Sequence, residues 1–246
     1  MYKEPAFKNF HSSWITPNIL AMQRPSDEII DNTDLIQEFV KSNITGIFNL
    51  TEPGEHPYCG YGLKESGFPY SPERFMKVGI KHFNYAWRDM EVPSYALMLD
   101  IVQVAVSELK SGGKIAVHCH AGFGRTGLCI ASILCGALLM SVNEAIQIVR
   151  TNRPKSIQTK QQEKFVRGFH VYYRMVSMSY FDINMDGVVS NTQKLKLISQ
   201  SPIDRKTVIA LCNSGLSGTT GTMGTMGNIN SNIGNTTGST VGDIIP

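Results

Sequence analysis

One ten-residue stretch, HCHAGFGRTG at positions 118–127, constrains the fold of this chain more than any other feature. It follows the apolar run KIAV, and it leads into LCIASILCGALLM, a segment that is apolar almost all round. The pattern predicts a short buried strand, a glycine-containing loop and a central buried helix, in that order. The apolar segment is too short to cross a bilayer, so we predict no membrane-spanning segment.

The rest of the chain alternates between strand-like and helix-like segments. Apolar, β-branched runs predict strands at 15–22, 44–50, 80–87 and 114–118. Helical spacing of apolar residues predicts helices at 31–43, 71–79, 94–113, 126–140, 141–154 and 161–178. This alternation predicts the α/β class, with a central, mostly parallel sheet flanked by helices.

Composition and cysteine usage narrow the class of protein. The chain has 246 residues, of which 42% are hydrophobic, and this length suits one α/β domain with extra segments. A net charge of only +3 and the lack of a basic, aromatic-interleaved stretch predict no nucleic-acid partner. The N-terminus has no apolar signal core, and the cysteines show neither a disulfide framework nor a CxxC metal spacing. A reduced, cytoplasmic location is therefore expected.

The composition changes near the C-terminus. From about Thr219 the sequence is a nearly uncharged tract of Gly, Thr, Asn and Ser without periodicity. Such a tract cannot bury enough apolar surface to offset the entropy of ordering, so we predict a disordered, low-complexity tail over 214–246. The segment before it, 179–213, is predicted to be a helical extension of the main domain.

The loop within HCHAGFGRTG has the features of an anion site. Backbone N–H groups of a loop between a strand and a helix point inward, and the helix N-terminus adds partial positive charge. Gly122 and Gly124 allow the backbone to turn and to approach a ligand closely. Arg125 offers a planar fork that matches two phosphate oxygens. The residues predicted to bind the phosphate of the substrate are His120, Ala121, Gly122, Phe123, Gly124 and Arg125.

Cys119 lies at the base of this predicted nest. Inward N–H dipoles and the Arg125 cation favour thiolate over thiol, and thiolate attack on phosphorus gives a phosphocysteine intermediate. Thr126 is predicted to stabilise the thiolate as it leaves again, and His118 to fix the loop by hydrogen bonding. A buried, inert cysteine beside a tight glycine turn is the alternative. The complete pattern H-C-x-x-G-x-x-R-T-G, between a strand and an apolar helix, is too specific for a chance arrangement of this kind and favours the nucleophile.

A thiolate mechanism also needs an acid that protonates the leaving oxygen. Asp89 lies in the stretch NYAWRDMEVPS, between a predicted strand and a predicted helix, and is the predicted general acid. Glu91 is the competing carboxylate. A solvated Asp89 that simply pairs with Arg88 is the structural alternative.

The sequence KSIQTKQQ, which follows Pro154, supplies candidates for the second step, in which water hydrolyses the intermediate. Gln162 fits best by position as the residue that holds this water, with Gln158 and Gln161 as alternatives. A solvated, polar helix start explains any one of the three equally well.

HCHAGFGRTG resembles the signature loop of cysteine-dependent protein tyrosine and dual-specificity phosphatases. The resemblance extends to SSWITPNILAMQRPS, IFNLTEPGEHPYCG, ESGFPYSPERFMKVGI and NRPKSIQT. It implies a dual-specificity-type phosphatase domain over 10–178, a phosphoprotein substrate, no metal or other cofactor, and hydrolysis of phosphomonoesters on protein side chains. It also matches Asp89 to the general-acid position, and it implies an association with cilia or centrosomes.

Two other functions stay open. Phosphoinositide phosphatases of the same family carry lysines in this loop, whereas His120 and Phe123 stand here. This difference favours protein substrates. The N-terminal third shows no counterpart of the phosphotyrosine-stacking loop of the classical tyrosine phosphatases, so we expect a shallow pocket that admits phosphate on Tyr and also on Ser or Thr. A phosphate-binding pseudophosphatase or scaffold module typically lacks the cysteine, the arginine or the acid, and Cys119, Arg125 and Asp89 are all present.

A second motif, DINMDGVVS at 182–190, resembles the start of an EF-hand loop. The predicted calcium ligands are Asp182, Asn184, Asp186 and the backbone carbonyl of Val188. Position twelve of the loop 182–193 is Gln193 instead of a bidentate glutamate, which lowers the expected affinity. Weak calcium binding therefore competes with a simple Asp/Asn/Gly turn.

Overall fold

The computed structural model describes residues 4–58 and 60–184, and a five-stranded sheet lies at its centre. The strands are β1 (Ser12–Thr16), β2 (Ile19–Met22), β3 (Ile44–Asn49), β4 (Lys81–Asn84) and β5 (Lys114–His118). Their order is β1-β2-β5-β3-β4, and every neighbouring pair is parallel except the antiparallel pair β1 and β2 at one edge. The predicted α/β class with a mostly parallel sheet is therefore confirmed.

Helices cover both faces of the sheet. Within the described residues they are α1 (Asp27–Asn32), α2 (Leu35–Lys41), α3 (Glu73–Met76), α4 (Tyr95–Lys110), α5 (Gly124–Ala137), α6 (Val142–Asn152) and α7 (Lys160–Asn184). α4 to α7 share one hydrophobic core on one face, and α1 to α3 share another on the opposite face. β5 joins the two cores, because Ile115 and Val117 belong to the first and Ala116, between them, belongs to the second.

α5 is the central helix that the apolar pattern predicted. Its residues from Gly124 to Gly136 are all buried. It begins at Gly124, two residues before the predicted start at Thr126, so its first turn already includes Arg125. Among the described residues, no helix is long and apolar enough to span a membrane.

Two predicted elements are divided in the structure. The predicted strand 15–22 is instead the hairpin of β1 and β2, because a turn at Pro17 interrupts the extended chain. The predicted helix 31–43 is instead α2 preceded by the end of α1. Thr33 separates these helices: its backbone is extended, with φ −141°, and its hydroxyl donates to the carbonyl oxygen of Ile29 at 2.7 Å.

Several predictions fall at or beyond the end of the described residues. α7 continues to Asn184, so the positions of Asp182 and Asn184 lie in its last turn. Asp186 and Val188 lie outside the described residues, as do the predicted C-terminal tail and most of the extension 179–213. The domain boundaries and the weak calcium binding therefore stay predictions.

Candidate active site

A loop of residues 119–123 joins the end of β5 to the start of α5. Because β2, β5 and β3 are parallel, their carboxyl ends meet at one edge, where Met22, His118 and Asn49 lie side by side. Gly122 has φ +75°, and a Cβ atom on it would lie 2.1 Å from the carbonyl oxygen of Met22. Only glycine therefore fits at this position of the loop.

Several N–H groups of this loop are available to an anion. In the described part of the chain, the backbone N–H groups of Ala121, Gly122 and Phe123 donate to no other protein group. The N–H groups of Gly124 and Arg125 belong to the first turn of α5, where helix geometry leaves them without a partner. Together these groups form the kind of nest that binds phosphate.

Cys119 and Thr126 flank the residues of this nest in the sequence. Cys119 is 4% exposed, directly after β5. Thr126 is fully buried in the first turn of α5, and its hydroxyl has no hydrogen-bond partner among the described residues. A buried hydroxyl without a partner is costly unless something uses it, so this one is available to a thiolate or an oxyanion.

His118 is one end of a hydrogen-bonded chain of three side chains, the other two being Tyr70 and His82. Its Nδ1 donates to the carbonyl oxygen of Cys119 at 3.1 Å, and burial lowers the pKa of His118 to about 3, so its ring is neutral. Its Nε2 therefore accepts from the hydroxyl of Tyr70 at 2.9 Å, and the Tyr70 oxygen accepts from Nε2 of His82 at 2.7 Å. Tyr70 and His82 thus orient the His118 ring, whose Nδ1 contacts the loop.

The guanidinium of Arg125 is fully buried among carbonyl and carboxylate oxygens. Nη1 donates to the carbonyl oxygens of Leu50 and Trp87 at 3.1 and 2.9 Å, and to Oε2 of Glu55 at 2.8 Å. Nη2 pairs with Oε1 of the same carboxylate. Oδ1 of Asp89 lies 3.1 Å from Nε but outside the hydrogen-bonding angle, so Nε has no hydrogen bond. A phosphate that displaces the Asp89 carboxylate would meet the edge formed by Nε and Nη2, a fork that suits two phosphate oxygens.

Opposing effects act on the charge of Arg125. Burial alone lowers the pKa of Arg125, whereas its hydrogen bonds to the Glu55 carboxylate and the charges of Cys119, Glu55 and Asp89 raise it above its ordinary value. The guanidinium is therefore a permanent cation next to Cys119.

Asp89, and not Glu91, is the carboxylate that the structure brings to Arg125. Its side chain is 43% exposed, and its Oδ2 lies 3.6 Å from Nε2 of His56. The Glu91 carboxylate lies instead 3.8 Å from Arg88. Among the ion pairs of the described residues, Arg88 therefore pairs with the competitor and not with Asp89.

Two residues that the sequence pattern did not assign, Glu55 and His56, complete this side of the site. Arg24 holds their backbone, with Nη1 donating to the carbonyl oxygen of Glu55 at 2.6 Å and Nη2 to that of His56 at 3.0 Å. The rings of His56 and His120 stack with their centroids 3.9 Å apart. Burial lowers the pKa of His120, and the nearby His56 and Arg24 lower it further. The one signal in the sequence was a carboxylate in a turn-rich stretch after a buried strand.

Glu55, His56 and Asp89 also resemble a metal site. In the part of the chain that the structure describes, they form the one group of three such side chains whose ligand atoms lie within 4.8 Å of one another. Both carboxylates already lie against Arg125, so a cation would have to compete with the guanidinium for them. These carboxylates fit better as partners that orient Arg125 for binding an anion.

Of the three candidate glutamines, two lie against the loop. A Cβ atom on Gly124 would lie 3.0 Å from Nε2 of Gln162 and 2.8 Å from Oε1 of Gln158. Gln162 is fully buried: its Oε1 accepts from the N–H of Gln158 at 2.8 Å, and its Nε2 has no partner among the described residues. Gln161 is exposed. Gln162 is thus the candidate with a buried, free N–H group beside the loop.

The side chains of Ala121 and Phe123 make no polar contact of their own with a phosphate. Ala121 is exposed. The ring of Phe123 packs over the guanidinium of Arg153, 4.7 Å from it, and lies 5.3 Å from the ring of His11. The backbone N–H groups of Ala121 and Phe123 are therefore what remains for the predicted phosphate contacts.

Known proteins are similar to this chain in sequence. Residues 21–137 match the family model described as "Polymorphic toxin system, DSP-PTPase phosphatase". Protein tyrosine phosphatase domain-containing protein 1 of Mus musculus is 49% identical over 168 residues, which are 68% of this chain and 22% of that protein. Tyrosine-protein phosphatase CDC14 of Saccharomyces cerevisiae is 37% identical over 93 residues, or 38% of this chain and 17% of that protein. The chain thus spans about a fifth of the length of these curated relatives.

Solved structures share the fold at low identity. Tk-PTP in its active form aligns with a TM-score of 0.54 and 21% identity, covering 65% of this chain and 95% of that one. Kinase associated phosphatase aligns with a TM-score of 0.56 and 21% identity, covering 70% and 98%. PTPMT1 in complex with PI(5)P aligns with a TM-score of 0.55 and 21% identity, covering 66% and 96%. The family-model match over residues 21–137 and the 49% identity over 168 residues identify this part of the chain as a member of the protein tyrosine and dual-specificity phosphatase family.

Proposed function

We propose that the chain is a protein phosphatase that hydrolyses phosphotyrosine, and also phosphoserine and phosphothreonine, through a phosphocysteine intermediate. The observation that supports this most strongly is the buried guanidinium of Arg125, beside a loop of free N–H groups. Its Nε makes no hydrogen bond and lies against the Asp89 carboxylate, which a phosphate can displace. Directed donors and a fixed cation of this kind stabilise the charge on the oxygens of a transferring phosphoryl group.

In the first step, the Cys119 thiolate attacks phosphorus, and the bond between phosphorus and the substrate oxygen breaks. Asp89 donates its proton to that leaving oxygen. Its Oδ1 rests 3.1 Å from Nε of Arg125, where a phosphate oxygen would bind, so the substrate displaces it. The half-exposed side chain of Asp89 can then turn toward the leaving group.

In the second step, water attacks the phosphocysteine, and the bond between phosphorus and sulfur breaks to release inorganic phosphate. Asp89, now ionised, accepts the proton of this water. The free Nε2 of Gln162 holds the water, and the unpartnered hydroxyl of Thr126 donates to the thiolate as it leaves. The enzyme returns to its starting protonation state, and no metal ion takes part in either step of this scheme.

A phosphoinositide is the second candidate substrate. PTPMT1, a neighbour in fold, was solved in complex with PI(5)P. In this chain the rings of His120 and Phe123 are already packed against His56 and Arg153, and the loop has no lysine that would hold a further ring phosphate. A comparison of kcat/KM for phosphopeptides and for PI(5)P tests the choice: we expect the peptides to be preferred by at least about tenfold.

Hydrolysis of a small aryl phosphate by three chains tests the activity itself. We expect metal-independent turnover by the wild type, none by Cys119→Ser, and a loss of about 10²–10⁴-fold for Asp89→Ala with poor leaving groups. Glu91→Ala is the matched control, since its carboxylate lies on Arg88, and it should keep near-wild-type activity. A reduced, folded wild type without turnover would leave the phosphate-binding module as the better description.

The resemblance also leads us to propose a cytoplasmic location with an association with cilia or centrosomes. Imaging of a tagged chain in ciliated cells tests this. Weak calcium binding through the loop 182–193 is tested by thermal unfolding: a rise in Tm with calcium at about the millimolar level supports it, and an unchanged Tm contradicts it.

A further inference from the structure

A second arginine, Arg153, is almost completely buried on the side of the loop that faces away from the nest, which we call the outer side. It follows α6 directly and is 1% exposed. Nε donates to the carbonyl oxygen of Gly122 at 2.6 Å, and Nη2 donates to that of Ala121 at 3.2 Å. Nη1 donates to Oγ of Ser13 at 3.1 Å, and Nη2 also to Nδ1 of His11 at 2.8 Å. Every one of these acceptors is neutral, and no ion pair among the described residues includes Arg153.

Two of these contacts decide which way the loop N–H groups point. In a trans peptide unit, the C=O of one residue and the N–H of the next point in opposite directions. Arg153 holds the carbonyl groups of Ala121 and Gly122 outward. The N–H groups of Gly122 and Phe123, which have no protein partner, are therefore turned to the other side, toward the nest.

No carboxylate among the described residues neutralises the charge of Arg153, so this charge can act on an anion in the nest. Burial lowers the pKa of Arg153 to about 10, and the negative charge of Cys119 opposes that shift. The guanidinium therefore stays protonated at neutral pH, and a thiolate at Cys119 and this cation stabilise each other. A buried cation without a carboxylate partner is otherwise costly, so an anion in the nest relieves a real penalty.

On the basis of the phosphatase function above, we propose that Arg153 is a positioning residue of the reaction. Its hydrogen bonds direct two N–H groups of the loop toward the phosphate. Its positive charge, which no carboxylate balances, stabilises the Cys119 thiolate and the bound phosphate.

The other groups near Cys119 do not supply this charge. Arg125 interacts with Cys119 but shares its charge with Glu55 and Asp89. His118 is neutral, and burial raises the pKa of the Cys129 thiol, which keeps it neutral as well. On the far side of Arg153, His11 accepts through Nδ1 and so is neutral too; burial and the Arg153 charge both lower the pKa of His11.

The test compares Arg153→Met and Arg153→Lys in the full chain, with Arg167→Gln as control for loss of an exposed arginine on α7. Two quantities are measured. The first is the pH at which Cys119 becomes half-reactive toward iodoacetamide, followed by mass spectrometry of its peptide. The second is the Ki of inorganic phosphate, taken from its protection of Cys119 against this alkylation. For Arg153→Met we expect the half-reaction pH to rise by roughly one unit and the Ki to rise roughly tenfold. Arg167→Gln should change neither.

Arg153→Lys separates the charge from the geometry. Its ammonium keeps the charge, so the half-reaction pH should stay within about 0.3 units of the wild type. A lysine cannot span both carbonyl groups and Ser13, so the Ki of phosphate should still rise. A folded Arg153→Met with wild-type values of both quantities would overturn the proposal. If Arg153→Met does not fold, a half-reaction pH raised by a full unit or an unchanged Ki in Arg153→Lys would overturn it.

These outcomes are distinct from failure of the phosphatase function. Alkylation of Cys119 and phosphate protection against it need no turnover. A wild type that is inactive but shows the expected shifts would contradict the phosphatase activity alone. An active wild type with no shift in the Arg153 variants would contradict the role of Arg153 alone.

Discussion

The two sides of the phosphate loop hold two buried arginines in opposite ways. On the inner side, Arg125 pairs with Glu55 and lies against Asp89, and its Nε makes no hydrogen bond. On the outer side, Arg153 donates to neutral oxygen and nitrogen atoms only. Both guanidinium groups are inaccessible to solvent or nearly so. Burial is thus the same on the two sides, and the partners differ.

This difference separates binding from preorganisation. Carboxylate partners orient Arg125 and balance its charge while the site is empty, and a substrate reaches its Nε by displacing Asp89. Arg153 donates to two loop carbonyl groups and to Ser13 and His11, so it acts on the nest through its charge and through the orientation of the loop. A phosphate that enters the loop meets one arginine by direct contact and the other through the backbone.

The largest expected effect comes from Arg125→Lys. A single ammonium cannot replace the fork of Nε and Nη2, so we expect kcat for an aryl phosphate to fall about 10³-fold. Arg153→Lys, on the outer side, should lose less than about tenfold, because no substrate atom touches it. Equal losses in the two variants would erase the distinction between the two sides.

Gly122→Ala tests how tightly the outer side is built. The added Cβ would meet the Met22 carbonyl oxygen and Nη2 of Arg153, at 2.1 and 2.9 Å, in a residue that already has a positive φ. We expect a loss of about 3 kcal/mol in the free energy of unfolding in urea. Gly112→Ala is the matched control, with φ +81° and no atom within 4 Å of the added Cβ, and should cost only about 1 kcal/mol. Similar losses for both would mean that the loop yields to the clash.

Glu55→Gln tests the inner pairing. The amide keeps the shape of the side chain but not the charge that orients Arg125, so we expect kcat to fall about tenfold. The Ki of phosphate should change by less than about threefold, because removal of a nearby negative charge partly offsets the misplaced fork. Glu52→Gln, an exposed carboxylate of the same loop, is the control. A larger effect on Ki than on kcat would contradict an orienting role.

The support beneath the loop is expected to affect stability but not catalysis at neutral pH, because it concerns groups that stay neutral. Burial lowers the pKa of His82 to about 4, from 6.5 in the unfolded chain. Below pH 6.5 the unfolded state binds a proton at His82 that the folded state does not bind, so the free energy of unfolding decreases as the pH falls toward 4. His82→Gln removes this loss, by about 1.4 kcal/mol per pH unit. Urea unfolding at several pH values measures it, and parallel curves for the two chains would refute it.

The sequence predicted the inner side of the site better than the outer side. Cys119, Gly122 and Arg125 share one continuous stretch whose spacing has a chemical meaning, and Asp89 follows a predicted strand. Glu55 was missed because it lies in a turn-rich loop without periodicity. Arg153 was missed because a basic residue at the end of a helix is ordinarily explained by the helix dipole.

The same limit applies to the fold. Alternating patterns predicted the sheet and α5, which depend on local periodicity. The hairpin of β1 and β2 was predicted as one strand, because only a short turn at Pro17 divides it. Tyr70 and His82 come from outside the loop, and nothing in their local sequence indicates that they meet His118. Contacts between distant segments depend on tertiary packing, which one sequence does not display.

The most direct test of the central claim is a rapid quench in alkaline denaturant during turnover of an aryl phosphate, followed by mass spectrometry of the peptides at alkaline pH. Gln162→Ala should slow hydrolysis of the intermediate and so raise its level. The thiolate mechanism predicts a phosphoryl group on the Cys119 peptide in this variant and none in Cys119→Ser. Release of phosphate with no phosphorylated Cys119 peptide, or with the phosphoryl group on His120, would contradict it.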